Sequence, residues 1–138
     1  MDIVMKKPAT SYAPFAAGAT AGPATAGAAT AGATWVGVCR LSDLSDSWGE
    51  AALVNGRQLA LFRVGRDDVF AVAQADPATR AHVMSRGLVG SRGRTHTIAS
   101  PLHKEVYSLA TGECFGRPEL HLGTYPVRVV GGVVEVSL

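Results

Sequence analysis

Frequent turn signals with short apolar runs between them constrain this chain more than any other feature. Asn55-Gly56, Gly65-Arg66-Asp67-Asp68, Thr111-Gly112 and Gly131-Gly132 punctuate the sequence. Between such signals lie β-like runs at 35–39, 50–54, 57–64, 69–73, 95–99 and 105–109. Asn-Gly favours positive φ at both central positions, which matches the twist of a tight antiparallel hairpin. At the C-terminal end Tyr125, Val127 and Val129 alternate with Pro126, Arg128 and Val130. Beyond the glycine pair, Val134, Val136 and Leu138 alternate with Val133, Glu135 and Ser137, the pattern of a closing hairpin with one buried face. About eight short strands and no long helical period predict an all-β domain, an antiparallel β-sandwich or small barrel.

The first 34 residues read differently. Residues 9–34 hold 12 Ala, 5 Thr and 4 Gly, and Ala-Thr-Ala-Gly recurs at 19–22, 24–27 and 29–32. A five-residue period fits neither a helix face nor a strand face, and small side chains bury too little area to offset the ordering entropy. The expectation is a disordered leader over 1–34 and one folded domain over 35–138. Lys6 and Lys7 imitate the basic start of a signal peptide, but Pro8, Pro14 and Pro23 interrupt what would be its apolar core.

The bulk numbers exclude several function classes. A net charge of +2 gives no global argument for nucleic acid. No run approaches the roughly 18 apolar residues that span a bilayer. Cys39 and Cys114 are too few for a disulfide scaffold and form no CxxC pair, so they read as reduced, buried thiols in a cytoplasmic protein.

Two segments carry functional information. The stretch 74–94 lacks period-2 alternation, and Ser100-Pro101-Leu102-His103-Lys104 links two strands tightly. A hairpin ending in Ala-Val, a loop, then Ser-Pro-Leu-His-Lys, a short strand and Thr-Gly resembles the Rieske family. In that family Cys-x-His in the first loop and Cys-x-x-His in the second hold a [2Fe–2S] cluster, with two thiolates on one iron and two imidazoles on the other. Aligned on Phe70-Ala71-Val72, the four positions here are Asp76, Ala78, Ser100 and His103. One imidazole remains and both thiolates are gone, so no cluster is expected.

Within the Rieske-like group, the order of further pieces is similar to the small subunit of bacterial assimilatory NAD(P)H-dependent nitrite reductase. Those pieces are Trp35-Val36-Gly37-Val38-Cys39, Gly49-Glu50-Ala51-Ala52-Leu53-Val54, Leu59-Ala60-Leu61-Phe62-Arg63, Asp76-Pro77, Ser85-Arg86-Gly87-Leu88-Val89-Gly90 and Thr124-Tyr125-Pro126-Val127-Arg128-Val129. The resemblance implies a supporting chain without catalytic or cofactor-binding residues of its own. Its partner would be a large subunit carrying FAD, siroheme and [4Fe–4S] that reduces nitrite to ammonium in nitrate assimilation. The alternative is a Rieske-type [2Fe–2S] ferredoxin serving an oxygenase.

His103 has two readings. A mononuclear site would need it beside Asp76, Ser100, His82 or His96; the plain alternative is a hydrogen-bonded loop-tip histidine. Asp76-Pro77 and Ser100-Pro101 suit turns whose side chains cap backbone amides. Arg80, Arg86, Arg92, Arg94 and Lys104 crowd residues 77–104 with no acidic residue among them. That run is either a solvated loop or a docking face, and Arg86, Arg92, Arg94, His103 and Lys104 are the docking candidates. With no aromatic residue for base stacking, RNA or DNA is not the expected partner. Trp35 is expected in the core, and Trp48 in an exposed polar turn.

Overall fold

The computed structural model describes residues 34–138, together with the backbone of two upstream strands, β1 (Ile3–Met5) and β2 (Ala24–Ala26). The expectation of a leader without order over 1–34 otherwise lies outside the described residues. Eleven strands follow: β3 (Trp35–Arg40), β4 (Gly49–Val54), β5 (Arg57–Val64), β6 (Asp68–Ala73), β7 (Leu88–Arg92), β8 (Thr95–Ala99), β9 (Val106–Ser108), β10 (Cys114–Phe115), β11 (Thr124–Tyr125), β12 (Val127–Val130) and β13 (Val133–Ser137). Two short 3-10 turns, Leu41–Asp43 and Met84–Arg86, complete the elements.

The strands form three antiparallel sheets, in the orders β1-β4-β5-β6-β11, β10-β9-β8-β7 and β2-β12-β13-β3. The first lies between the other two. On β5 and β6 successive side chains enter opposite cores: Leu59, Leu61, Val69 and Ala71 face one, and Ala60, Phe62, Phe70 and Val72 the other. Period-2 geometry sends neighbours to opposite faces, so a strand covered on both sides must be apolar throughout. That is why Leu59-Ala60-Leu61-Phe62 carries no polar residue. One core joins this sheet to Val36, Val38, Val127, Val134 and Val136; the other joins it to Met84, Ile98, Tyr107, Leu109 and Leu122.

Turn chemistry sets the register. Asn55 and Gly56 take φ of 51° and 78°, and β4 and β5 pair from Val54↔Arg57 to Gly49↔Phe62. β12 and β13 close through Gly131 and Gly132, both at positive φ. Across that hairpin Arg128 Nε donates to Glu135 Oε1 at 2.6 Å, and the Arg128 guanidinium lies 4.3 Å from the Trp35 ring. Trp35 is therefore half-buried under an arginine instead of sitting in the core as its size suggests.

β7 lies within the stretch expected to hold no strand. It is an edge strand, pairing on one side with β8 and burying little, so its side chains had no reason to alternate. β10 is a two-residue strand, too short to leave a pattern.

Candidate functional site

Two loops leave adjacent sheets and meet. The first follows β6 and the second follows β8. Both begin with the same local pattern, Asp76-Pro77-Ala78-Thr79-Arg80 and Ser100-Pro101-Leu102-His103-Lys104. In the first, Asp76 N–H donates to Ala81 O (2.8 Å) and Arg80 N–H to Asp76 O (2.7 Å). In the second, Ser100 N–H donates to Glu105 O (2.9 Å) and Lys104 N–H to Ser100 O (3.1 Å). Proline at the second position presets φ and has no N–H to compete for these acceptors. The fifth residue of each loop is left-handed, with φ of 69° at Arg80 and 62° at Lys104.

A third loop repeats the geometry. Ser108 N–H donates to Glu113 O and Gly112 N–H to Ser108 O, both at 2.8 Å. Here the left-handed residue is glycine, at φ 82°. A left-handed residue with a Cβ costs about 1–2 kcal/mol that glycine avoids, so the first two loops place cations where the backbone would prefer none.

The first side chain of each loop holds its own turn. Asp76 Oδ1 accepts from Ala78 N–H (2.7 Å) and Thr79 N–H (3.3 Å), Ser100 Oγ from Leu102 N–H (3.3 Å), and Ser108 Oγ from Ala110 N–H (3.2 Å) and Thr111 N–H (3.1 Å). The first two are then joined, for Ser100 Oγ–H donates to Asp76 Oδ2. Both residues are buried. A buried carboxylate with three donors is satisfied without a metal.

Gln74 pins the start of the first loop. Its amide Nε2 donates to Ser85 Oγ (2.9 Å), its Oε1 accepts from Ser85 N–H (2.8 Å), and its carbonyl accepts from Val83 and Met84. Gly49 sits so close to Ser85 O and the Phe62 ring that a Cβ would overlap both. A groove of about 490 Å³ runs beside the loop, lined by Asp76, Pro77, Arg80, Glu119, Leu120 and His121 among others. On its rim the Glu119 backbone N–H and then Arg117 hold the Glu119 carboxyl below its ordinary range. Arg117 also bonds Glu105 at 3.1 Å. Below the loops, burial raises both the Tyr107 hydroxyl and the Cys114 thiol, so both stay protonated at neutral pH. The Tyr107 hydroxyl has no hydrogen-bond partner among the described residues.

The four aligned positions thus come together, but as a different donor set. Asp76 and Ser100, at the thiolate positions, bond each other; Ala78 offers a backbone N–H; His103 is exposed. Cys39 and Cys114 are buried in separate cores. These residues do not fit a cluster held by two thiolates and two imidazoles. His82 is exposed and bridges Ala75 through its backbone, while His96 lies against Phe70 and Asp68. Among the described residues no three His, Cys, Asp or Glu side chains could share a metal ion.

The basic candidates divide. Arg86, His103 and Lys104 belong to the loop end, where Leu88 pairs with Ala99 just before Ser100. Arg92 and Arg94 belong to the other end of the β7–β8 hairpin, and Arg92 is engaged over the Phe115 ring at 4.8 Å. Nothing in the sequence marks Gln74 or Ser85, and Arg80, Leu88 and Leu102 stand outside the docking candidates that it offers. The Asp-Pro-x-x-Arg and Ser-Pro-x-x-Lys echo was the signal that Arg80 and Lys104 occupy equivalent places.

Comparison with known proteins bears on this arrangement. The Rieske-like [2Fe-2S] domain family matches residues 34–137. The nitrite reductase (NADH) small subunit of Salmonella typhimurium is 36% identical over 103 residues, spanning 74% of this chain and 95% of that protein. A structure described as an NADH-dependent nitrite reductase small subunit of Mycobacterium tuberculosis superposes with a TM-score of 0.74 at 36% identity, covering 77% of this chain and 96% of that one. The nitrite reductase [NAD(P)H] large subunit of Klebsiella oxytoca is 36% identical over 126 residues, which are 91% of this chain and 12% of that protein. A ferredoxin of carbazole 1,9a-dioxygenase from Nocardioides aromaticivorans superposes with a TM-score of 0.66 at 25% identity, covering 75% of this chain and 96% of that one. No helix among the described residues is long and apolar enough to cross a membrane.

Proposed function

This chain belongs to the nitrite reductase (NADH) small-subunit family of Rieske-like domains, and from that membership we propose that it is the small subunit of a nitrite reductase, serving without a redox centre of its own. The enzyme reduces nitrite to ammonium in the cytoplasm for nitrate assimilation, and its FAD, siroheme and [4Fe–4S] reside in the large subunit. This chain supplies neither catalytic residues nor a cofactor.

The observation that carries the reading is the Ser100–Asp76 hydrogen bond. In a Rieske centre the two thiolate positions are bridged by an iron; here the side chains at those positions bridge each other. The loops therefore keep their closed arrangement through protein hydrogen bonds, each turn being tied by its own first residue. The ferredoxin alternative would need thiolates at these two positions, which this chain lacks.

Reconstitution tests the proposal. Chain treated with an iron chelator and desalted should support NADH-dependent nitrite reduction by the large subunit as fully as untreated chain does. Activity that disappears with chelation and returns with iron and sulfide added to this chain alone would overturn it.

A further inference from the structure

We infer that the joined loop tips are the docking face of this chain, and that they seat on an acidic surface with an apolar depression on the nitrite reductase large subunit. The inference rests on the subunit assignment above and adds the place and chemistry of the contact.

The tip combines uncompensated charge with exposed apolar groups. Arg80, Arg86 and Lys104 are exposed and have no carboxylate partner among the described residues. Elsewhere Arg128 pairs with Glu135, Arg117 with Glu105 and Glu119, and Arg63 bonds the carbonyls of Leu44 and Arg66. Arg40, Arg57, Arg66 and Arg94 are exposed and likewise have no carboxylate partner among the described residues, so it is the exposed leucines beside the cations that set the tip apart. Arg80 and Lys104 hold left-handed positions that glycine fills in the third loop, so their side chains are kept there against the backbone's preference. Leu102, 46% exposed, lies two residues before Lys104, and Leu88, 76% exposed, two residues after Arg86. Exposed apolar side chains with arginine beside them have the composition of a protein interface.

The occupant follows from chemistry and kinship. A cationic rim calls for an acidic counterpart, and residues 77–104 contain no acidic residue to repel one. The Klebsiella oxytoca large subunit contains a segment similar to 91% of this chain, so a domain of this kind occurs within the polypeptide that it would serve. The Asp76–Ser100 bond holds the two cationic turns at a fixed mutual position, so docking need not first order them.

Affinity between this chain and the large subunit from the same organism tests the inference, with wild-type chain, an Arg86→Glu/Lys104→Glu variant, a Leu102→Asp variant and an Arg40→Glu/Arg66→Glu control. The control carries the same charge change beside the β5–β6 turn, at the other end of β6 from the first loop. The tip variants should each bind at least roughly tenfold more weakly, the control should bind like wild type, and wild-type affinity should fall as salt rises. Equal binding by all four chains, with unchanged melting temperatures, overturns the docking face and leaves the subunit assignment standing. Uniform weakening that includes the control also overturns it, because it shows only a net-charge effect. A wild-type chain that self-associates through the tip and ignores the large subunit overturns both readings.

Discussion

Removing the Asp76 carboxylate would strand three donors at once, the Ser100 hydroxyl and the N–H groups of Ala78 and Thr79. Asp76→Ala should lower stability by about 2–3 kcal/mol, the scale for buried hydrogen-bonding groups left unsatisfied, measured by denaturant unfolding. A loss below about 0.5 kcal/mol would mean that the loops are held by something else. Asp46 gives a pH-dependent counterpart. The N–H of Gly65, then the Ser47 hydroxyl, hold its carboxyl below the ordinary range. Its stabilising contribution is therefore present above the usual aspartate pKa of about 3.9 and is lost as pH falls through the lower folded value. The melting-temperature gap between wild type and Asp46→Asn should be widest near neutrality and close in acid. At Cys114 burial raises the thiol pKa, so the native chain should alkylate far more slowly than unfolded chain at pH 8.

Among elements, the first loop depends on how closely it packs against the central sheet. Gly49 lies under Ser85 O with no room for a Cβ, and Ser85 is the residue that Gln74 grips. Gly49→Ala should therefore cost about 1–3 kcal/mol, the range for an overpacked site, and amide exchange should quicken through Met84–Arg86 more than in β12 and β13. Equal exchange in both regions would refute the coupling. Strands were legible where a turn pair or a buried face stamped the sequence: Asn55-Gly56 located β4 and β5, and alternating valines located β13. β7 was illegible because an exposed edge strand imposes no alternation on Leu88-Val89-Gly90-Ser91-Arg92. The unbroken run 59–62 marks a strand buried on both faces, a distinction that only the third sheet makes visible.

At the scale of the whole molecule, the sequence shows which residue types stand at the four positions aligned with the Rieske ligands, but not how those residues are arranged. The loss of both thiolates can be read from residue types alone. That Asp76 and Ser100 bond each other cannot, because 24 residues and a sheet boundary separate them. The docking candidates show the same limit: Arg86 and Arg92 are near in sequence, yet β7 runs between them and carries Arg92 to the Phe115 ring. Three layers, two cores and a hydrogen-bonded tip make a Rieske-like scaffold, and we propose that its loops stay closed without iron. Iron and acid-labile sulfide, assayed in the chain purified under anaerobic conditions, test that statement most directly. Both should be far below stoichiometric, with no visible absorption above the protein band. Roughly two irons and two sulfides per chain, with the reducible spectrum of a [2Fe–2S] centre, would contradict it.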